Sequence, residues 1–223
     1  MFRIWCVLIG YVFGLFQTAF FYGKLNGIDI RNEGSGNAGT TNALRVLGTK
    51  AGLIVMIGDI AKTMIAILIV KKLFGTVYPE LEYLLVLYTA AGAILGHNYP
   101  FYMGFKGGKG IACTAGLIFS SHWSFILVGV IAFFTPFFTV HMVSVGSLLV
   151  YLFYVIQLVI MGQSGFFAPM PQAQLIEMYC VAIFLMAMAY WRHRSNIANL
   201  IKGTERKTYL FKKGHENPGH TGR

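Results

Sequence analysis

Long apolar runs recur along this sequence and decide its class of fold. They extend over about residues 3–23, 51–73, 81–96, 111–138, 143–160 and 174–190. A helix needs about 20 mostly apolar residues to cross the hydrocarbon core of a bilayer. Charged residues make up only 12% of the chain, whereas about a quarter of a soluble domain is charged. The sequence therefore predicts an all-α, polytopic integral membrane protein, and it excludes disordered, coiled-coil and disulfide-rich secreted chains.

The basic residues are concentrated in three polar stretches that separate these runs. The chain carries 18 Lys and Arg against 8 Asp and Glu, a net charge of +10. All basic residues except Arg3, Lys62, Lys71 and Lys72 fall within residues 24–50, 97–110 and 191–223. Because cytoplasmic loops of membrane proteins collect Lys and Arg, we expect all three stretches to lie on the cytoplasmic side.

The expected cytoplasmic location of all three polar stretches constrains the number of transmembrane helices. Between the second and third polar stretches the chain must cross the membrane an even number of times, so the long run at 111–138 needs a break. Residues 120–122, Ser-Ser-His, supply a polar interruption, and helices at about 111–120 and 123–140 restore the parity. We therefore expect about seven transmembrane helices, with the N-terminus outside and the C-terminus cytoplasmic. Five spans, with one apolar run that does not cross, are the alternative.

The first polar stretch contains a glycine-rich segment with many short polar side chains. Residues 34–48 read GSGNAGTTNALRVLG. The segment formally contains GxGxxG, but no strand precedes it, which disfavours the dinucleotide fingerprint. Its glycines let successive backbone N–H groups converge, and Ser35, Asn37 and Arg45 add donors for an anion. We interpret the segment as a phosphate-binding nest, with a flexible connector as the alternative.

The second polar stretch places two lysines among glycines. Residues 96–110 read GHNYPFYMGFKGGKG. A Walker A loop is excluded, because Met103 occupies a required glycine position and Gly follows Lys109. Lys106 and Lys109 still suit a cationic phosphate cradle, since glycine leaves the backbone open to an anion. The alternative is a signal for membrane topology alone.

The third polar stretch begins with RHRSN at residues 192–196. His193 and Asn196 are three positions apart and would share one face of a helix, as the residues of a binding site do. We expect a single membrane domain over residues 1–206. A basic, mobile cytoplasmic tail is expected over residues 207–223, in reach of anionic lipid.

Two charged residues, Asp59 and Lys62, lie inside the second apolar run. Charges within a membrane are costly and usually pair, so we expect an ion pair that faces the helix bundle, with a structural role ahead of a catalytic one. The chain contains no HxxxxD pair, no GxSxG elbow and no HExxH zinc motif. An enzyme with this sequence is expected to work mainly by binding and positioning phosphate.

Together, the segments at 34–48 and 96–110, with RHRSNIANLIKGTE at 192–205, resemble the signature motifs of the bacterial acyl-phosphate:glycerol-3-phosphate acyltransferase family, PlsY. The resemblance covers essentially the whole chain. It implies a multi-pass protein of the bacterial inner membrane with its active site on the cytoplasmic side. It also implies transfer of a fatty acyl group from acyl phosphate to the 1-hydroxyl of sn-glycerol 3-phosphate. The products would be lysophosphatidic acid and inorganic phosphate, the first step of phospholipid synthesis.

The resemblance assigns roles to residues of all three motifs. Catalytic roles would fall to His193, Ser35, Asn196 and Lys106. Substrate phosphate would be bound by Ser35, Gly36, Asn37, Thr41, Asn42, Arg45, His97, Lys106, Gly107, Gly108, Lys109, Ser144, Asn196 and Glu205. Ser144 belongs to a short turn, HMVSVGS at 141–147, in which His141 stands where the family has arginine.

Neither a cofactor nor a metal is expected. The expected partners are acyl phosphate, glycerol 3-phosphate and the lipid bilayer, with the soluble enzyme that makes acyl phosphate as a further candidate; nucleic acid is not expected. The glycerol hydroxyl would attack the acyl phosphate directly, while Arg45, Lys106 or Lys109 and His193 neutralise phosphate charge. Two groups remain open as general base, His193 and an oxygen of a substrate phosphate.

Two other functions stay open on the residues alone. A transporter for a phosphorylated metabolite would also use basic loops and broken helices, but its charges would lie near the bilayer midplane. An acyltransferase that depends on coenzyme A would use acyl-CoA as its donor. A comparison of acyl phosphate with acyl-CoA as donor separates these possibilities.

Overall fold

The computed structural model describes residues 1–209, which form helices joined by turns and loops, with no strand among them. The helices are α1 (Phe2–Gly14), α2 (Thr18–Leu25), α3 (Thr40–Leu47), α4 (Thr49–Phe74), α5 (Glu82–Asn98), α6 (Ile111–Phe119), α7 (Trp123–Thr139), α8 (Val143–Gln163), α9 (Gln172–Arg192) and α10 (Arg194–Ile201). Short 3₁₀ turns occur at Ile30–Asn32, Pro79–Leu81 and Phe101–Met103. The prediction of an all-helical chain is confirmed for the described residues. Most of the predicted tail, from residue 210 onward, lies outside them.

Four helical segments within residues 1–209 are long and apolar enough to cross a membrane. They are Phe2–Leu25, Thr49–Phe74, Val143–Gln163 and Gln172–Arg192, and α7 is a shorter apolar helix. The predicted break at residues 120–122 is confirmed, because it separates α6 from α7. However, α6 has nine residues and is about 13 Å long, too short to cross a core of about 30 Å alone. Seven spans and the orientation of the termini therefore stay predictions.

The first apolar run, expected as one helix, is broken between α1 and α2. Gln17 lies in the break, is fully buried, and donates its side-chain N–H to the Gly14 carbonyl at 3.2 Å. Lys62 Nζ donates to the Phe16 carbonyl at 2.6 Å. The carbonyl groups that the break frees are thus satisfied by buried side chains, which makes a broken helix tolerable inside the bundle.

Helices α1 and α5 pack so closely that their backbones touch. Gly10 and Gly14 on α1 face Gly92 and Gly96 on α5, and a Cβ added at Gly10 would lie 2.9 Å from the Ala93 nitrogen. Both pairs have the small-xxx-small spacing that permits close packing in membranes. Residues nearer the C-terminus of α1 contact residues nearer the C-terminus of α5, so the two helices run parallel. Their C-terminal ends, and the polar loops that follow them, therefore lie at the same end of the bundle.

The opposite end of the bundle is held by one carboxylate. The Arg3 guanidinium on α1 pairs with both oxygens of Glu177 on α9, and the Tyr88 hydroxyl on α5 donates to the same group at 2.6 Å. Three helices are thereby tied together far from the polar loops. The glycine-rich segments at 34–48 and 96–110 lie at the other end of the bundle.

Candidate active site

Two cavities lie where the polar loops meet. The first, which we call the polar chamber, has a volume of about 710 Å³. It is lined by Arg31, Asn32, Gly34, Ser35, Gly36, Asn37, Arg45, Lys106, Gly107, Lys109, Arg192, Ser195, Asn196, Asn199, Glu205 and Arg206. Within residues 1–209, its lining is rich in arginine and lysine and contains one carboxylate, Glu205. Such a chamber attracts multiply charged anions.

The second cavity, which we call the apolar groove, has a volume of about 360 Å³ and extends between α6, α7 and α8. Its apolar part is lined by Met56, Ile60, Ile111, Ala112, Ala115, Ile118, Phe119, Ile126, Gly129, Val130, Phe133, Phe134, Val143 and Val150. Its polar end is lined by Ser35, Asn37, Gly39, Thr40, Thr41, Asn42, Arg45, Asp59, His97, Lys109, Gly110, Ser144, Ser147, His193, Asn196 and Glu205. A long hydrocarbon chain with a polar head fits this division.

The two cavities share part of their lining, and we call this shared part the junction. It consists of Ser35, Asn37, Arg45, Lys109, Asn196 and Glu205. These residues come from all three sequence motifs, so the fold brings the motifs together at one place. A molecule with an anionic head and an apolar tail would have its head at the junction.

A chain of hydrogen bonds connects three side chains of the junction to Ser144, which lines the polar end of the groove. Lys109 Nζ donates to the Asn196 side-chain oxygen, and Asn196 Nδ2 donates to Glu205 Oε1 at 2.7 Å. Ser144 Oγ donates to the same carboxylate oxygen at 2.7 Å. Glu205 therefore fixes the rotamer of Asn196, and Asn196 in turn holds the lysine ammonium in place.

Lys109 lies in an environment that weakens its positive charge. Burial lowers the pKa of Lys109 to about 8, Glu205 opposes this shift, and the charges of Arg192 and Arg45 add to it. A phosphate dianion bound beside the ammonium would favour the charged form again. The lysine is thus a cation whose charge responds to the presence of an anion.

His193 lies between α9 and α10 and is buried, with 3% of its surface exposed. Its Nδ1 lies 2.8 Å from the Ala189 carbonyl oxygen, so Nδ1 carries the proton and donates it, and Nε2 is left as an acceptor. Burial, assisted by the charge of Lys109, lowers the pKa of His193 to about 4. The imidazole is therefore neutral near pH 7. A role as proton acceptor agrees with this tautomer. Neutralisation of phosphate charge by His193 stays a prediction, and it requires that a bound anion raise the pKa of the imidazole.

In the first motif, Asn42 shapes the loop. Its side chain is 1% exposed; its oxygen accepts from the Ser35 N–H at 2.8 Å, and its nitrogen donates to the carbonyls of Ile30 and Glu33 at 3.1 and 3.0 Å. The Gly36 N–H donates to the Glu33 carbonyl at 2.9 Å. The N–H groups of Ser35 and Gly36 are thus engaged inside the loop, so the interpretation as an open nest is wrong for these two positions.

Other donors of the first motif remain available. The Ser35 hydroxyl lies at the junction and is exposed, and Asn37 lies beside it. Thr40 and Thr41 form the first turn of α3 and line the groove; the first N–H groups of a helix have no partner within the helix and attract anions. The motif therefore presents hydroxyl, amide and helix N-terminal donors to the junction.

In the second motif, the glycines serve close packing. Gly107 and Gly108 donate their N–H groups to carbonyls at the C-terminal end of α5, at 3.1 Å each. A Cβ at Gly108 would overlap the His97 ring and lie 2.8 Å from the Ala38 carbonyl oxygen. The expectation that these two N–H groups are open to phosphate is wrong. Lys106, in contrast, is exposed in the polar chamber, as a phosphate-binding lysine would be.

His97 belongs to a buried network beneath the junction. The predicted ion pair between Asp59 and Lys62 is confirmed at 2.8 Å, with both side chains at most 5% exposed. Lys62 Nζ also donates to His97 Nδ1 at 2.9 Å, and Thr18 Oγ1 donates to Asp59 at 2.9 Å. One nitrogen of His97 is therefore engaged by lysine, and the network fixes the floor of the groove.

Some residues of the chamber were not predicted from the sequence. Arg192 donates to the carbonyls of Gly107 and Gly108 at 2.9 and 2.7 Å, so it holds the second motif in shape. Arg31 pairs with Asp29 at 2.7 Å and holds the pKa of that carboxyl well below its usual range. Arg31 lies just before the first motif and Arg192 is the first residue of the third, and that proximity is the signal that could have found them.

The sequence matches the family model described as Glycerol-3-phosphate acyltransferase over residues 4–203. It is similar to the glycerol-3-phosphate acyltransferase of Shouchella clausii, with 39% identity over 203 residues that cover 90% of this chain and 93% of that protein. It is also similar to the glycerol-3-phosphate acyltransferase of Thermosipho melanesiensis, with 36% identity over 220 residues that cover 96% of this chain and 98% of that protein.

The fold is similar to crystal structures of PlsY, an integral membrane glycerol 3-phosphate acyltransferase. For the glycerol 3-phosphate form the TM-score is 0.76 and the identity 33%, over 93% of this chain and 96% of that chain. For the lysophosphatidic acid form the TM-score is 0.74 and the identity 31%, with the same coverage.

Proposed function

The chain belongs to the glycerol-3-phosphate acyltransferase family of integral membrane proteins, the PlsY family, and on that premise we propose that it acylates the 1-hydroxyl of sn-glycerol 3-phosphate with acyl phosphate as the donor. The products are lysophosphatidic acid and inorganic phosphate. The solved PlsY structures with glycerol 3-phosphate and with lysophosphatidic acid support the acceptor and the product. The donor is inferred from the shape and charge of the two cavities.

The junction carries the proposal. Acyl phosphate has an anionic head and a long apolar tail, and the tail fits the groove while the head lies among the residues that both cavities share. Glycerol 3-phosphate is small and fully polar, so it fits the polar chamber. The acyl carbon and the glycerol hydroxyl would then meet at the junction, which is the proximity that the reaction needs.

Two phosphates require several cations, and the site provides them. Arg45 and Lys109 lie at the junction, and Lys106 lies in the chamber. Since Arg45 and Lys109 line both cavities, we assign them to both phosphates, and we assign Lys106, which lines the chamber alone, to the phosphate of glycerol 3-phosphate. Charge-assisted hydrogen bonds of this kind are about twice as strong as neutral ones, and they stabilise the phosphate as it leaves.

The reaction proceeds by direct attack, because a mixed anhydride carries a good leaving group. A bond forms between the glycerol oxygen and the acyl carbon, and the bond from that carbon to the phosphate oxygen breaks. The hydroxyl proton passes to a base, either His193 Nε2 or a phosphate oxygen. Ser35 and Asn196 lie at the junction, where their polar side chains can orient the reacting groups.

The proposed setting is the bacterial inner membrane, with the junction on the cytoplasmic side. All three basic motifs lie at one end of the bundle, which supports this orientation through the positive-inside rule. We retain seven spans, one membrane domain and a cytoplasmic C-terminal tail as parts of the proposal. The domain was expected over residues 1–206 and the tail over 207–223, but Thr208 is buried and bonds to Arg45, so the packed domain extends at least to Thr208. A cytoplasmic chamber would also be accessible to the soluble enzyme that makes acyl phosphate.

Purified protein, labelled glycerol 3-phosphate and either acyl phosphate or acyl-CoA test the proposal. We expect labelled lysophosphatidic acid and one equivalent of inorganic phosphate with acyl phosphate, and no product with acyl-CoA. Product from acyl-CoA alone would assign a different donor. If the protein instead carried glycerol 3-phosphate into vesicles and formed no lysophosphatidic acid, the proposed function would be wrong and a transporter would be favoured.

A further inference from the structure

Residues 205–209, which we call the C-terminal strap, run from the polar chamber, where Glu205 and Arg206 line the wall, to the turn between α7 and α8. The Thr208 N–H donates to the His141 carbonyl at 2.8 Å, and the rings of His141 and Tyr209 are 4.6 Å apart. Thr208 is buried, with 3% of its surface exposed. The strap is therefore anchored to the turn between α7 and α8.

The strap also contacts a cation at the junction. The Arg45 guanidinium donates to Thr208 Oγ1 at 2.6 Å and to the Arg206 carbonyl at 3.4 Å. A guanidinium has five donors in a rigid fork, so these two bonds fix its direction and leave other donors for a ligand. Burial also lowers the pKa of Arg45, which shows that its charge is poorly solvated and would be stabilised by an anion.

Arg206 adds a second guanidinium to the chamber. Among the described residues, its guanidinium makes one long hydrogen bond, to the Gly34 carbonyl at 3.5 Å, and no described carboxylate lies within ion-pair distance of it. Arg31, by comparison, lines the same chamber but is neutralised by Asp29. Arg206 is thus an exposed cation in the chamber without an anionic partner in residues 1–209.

We propose that the strap is a working part of the substrate site: Thr208 is a positioning residue that aims Arg45, and Arg206 binds the phosphate of glycerol 3-phosphate. This inference rests on the proposed function, since it names the residues that recognise its acceptor substrate. Arg45 and Arg206 both line the chamber, so a phosphate bound there can contact both guanidinium groups. If the strap only stabilised the fold, it would not need the Arg206 guanidinium in the wall of the polar chamber.

The first test uses Thr208. Thr208→Val removes the acceptor for Arg45 but keeps the side-chain shape. We expect KM for glycerol 3-phosphate to rise about tenfold, as the loss of one hydrogen bond to a charged group predicts, with kcat within about twofold. Thr208→Ser should restore KM. Thr204→Val is the matched control, because Thr204 lies in neither cavity. Equal KM values in Thr208→Val and the wild type would overturn the positioning role.

The second test uses Arg206. Arg206→Gln should raise KM for glycerol 3-phosphate about tenfold and weaken inhibition by inorganic phosphate, since one charge-assisted contact is lost. Lys207→Gln removes one positive charge from the neighbouring position, outside both cavities, and should change neither value. If both substitutions raised KM equally, Arg206 would act only through the overall positive charge of the segment, and its direct contact with the phosphate would be excluded.

Calorimetric titration of each variant with glycerol 3-phosphate keeps the two proposals separate. If the wild type bound glycerol 3-phosphate but produced no lysophosphatidic acid, the proposed reaction would fail while the binding role of the strap would still be measured. Weaker binding in Thr208→Val and Arg206→Gln supports the strap. Unchanged affinity in both variants excludes it, whatever the turnover of the wild type.

Discussion

The carboxylate of Glu205 accepts a hydrogen bond from the Asn196 amide at 2.7 Å. This places a negative charge in a chamber that otherwise attracts phosphate. Its purpose follows from the next contact, in which Asn196 uses its oxygen to accept from Lys109. An amide that donates to a carboxylate on one side must present its oxygen on the other, so Glu205 decides which atom of Asn196 meets the lysine.

Glu205→Gln tests this relationship. Glutamine keeps one acceptor oxygen but loses the charge that supports the Lys109 ammonium, and we expect kcat/KM to fall about tenfold at pH 7. Glu205→Ala leaves both Asn196 and Ser144 without their acceptor, at a cost of about 1–3 kcal/mol each, and should lower kcat/KM about 100-fold or more. Glu33→Gln, an exposed carboxylate of the first loop, is the control. Equal activity in Glu205→Ala and the control would contradict the role of the network.

Lys109 predicts how substrate binding depends on pH. Its pKa is lowered to about 8, so the free enzyme carries the charged lysine below pH 8 and loses it above. KM for glycerol 3-phosphate should therefore rise as the pH increases through 8, by at most about tenfold per unit for a single required proton. Lys109→Arg should flatten this dependence between pH 7 and 9, because arginine keeps its proton there. Lys106→Arg, as the matched control, should keep the wild-type slope. A slope that survives in Lys109→Arg would assign the titration to another group.

His193→Gln separates the two candidate bases. If Nε2 accepts the hydroxyl proton, kcat should fall about 100-fold, the lower range for general base catalysis, with KM for glycerol 3-phosphate within about threefold. Because the pKa of His193 is lowered to about 4, kcat of the wild type should show no histidine titration between pH 6 and 7. His122→Gln, outside both cavities, controls for loss of a histidine. Full turnover in His193→Gln would leave a substrate phosphate oxygen as the base.

The helices and the shared position of the motifs could be predicted because they depend on local patterns. Except in the first run, which is broken between α1 and α2, the apolar runs and the polar interruption at residues 120–122 predicted the helix limits to within a few residues. The spacing of Asp59 and Lys62 gave their ion pair. Periodicity and charge distribution are properties of neighbouring residues, and a sequence displays them directly.

The remaining features depend on contacts between distant segments. The break between α1 and α2 is stabilised by Lys62, which lies on α4. Asn42 and Gly108 match binding motifs, but their polar groups are used within the protein. Thr208 reaches Arg45 only because the end of the chain folds back against the first motif. A motif shows which residues gather at a site, whereas the fold decides which of them still has a free donor.

Gly129 predicts selectivity for the acyl chain. It lies on α7 within the groove, and a Cβ there would stand 3.1 Å from the flexible end of Ile118 on α6. Gly129→Leu should therefore narrow the groove without forcing the helices apart. We expect kcat/KM for palmitoyl phosphate to fall about tenfold while the value for octanoyl phosphate changes less than threefold. A leucine side chain that displaces about two methylene groups, each worth about 0.8 kcal/mol, accounts for an effect of this size.

Val128→Leu is the control for that variant, because Val128 is next to Gly129 but does not line the groove. Both substitutions add apolar bulk to the same helix. If Gly129→Leu lowered activity equally with both donors, the effect would be a general loss of packing, and the acyl chain would have to lie elsewhere.

The buried ion pair of Asp59 and Lys62 should stabilise the fold, and loss of one partner should lower Tm more than loss of both. Lys62→Met leaves Asp59 charged and 1% exposed, and it removes the donor that satisfies the Phe16 carbonyl. Breaking one partner of a buried pair costs about 3–5 kcal/mol, which lowers Tm by about 10 °C for a chain of this size. Thermal unfolding in detergent should show this loss, and the double variant Asp59→Asn, Lys62→Met should recover much of it.

The control is Lys72→Met, which replaces an exposed lysine on the same helix and should leave Tm within about 2 °C. If Lys62→Met unfolded at the temperature of Lys72→Met, the pair would not stabilise the break between α1 and α2, and another contact would have to hold it.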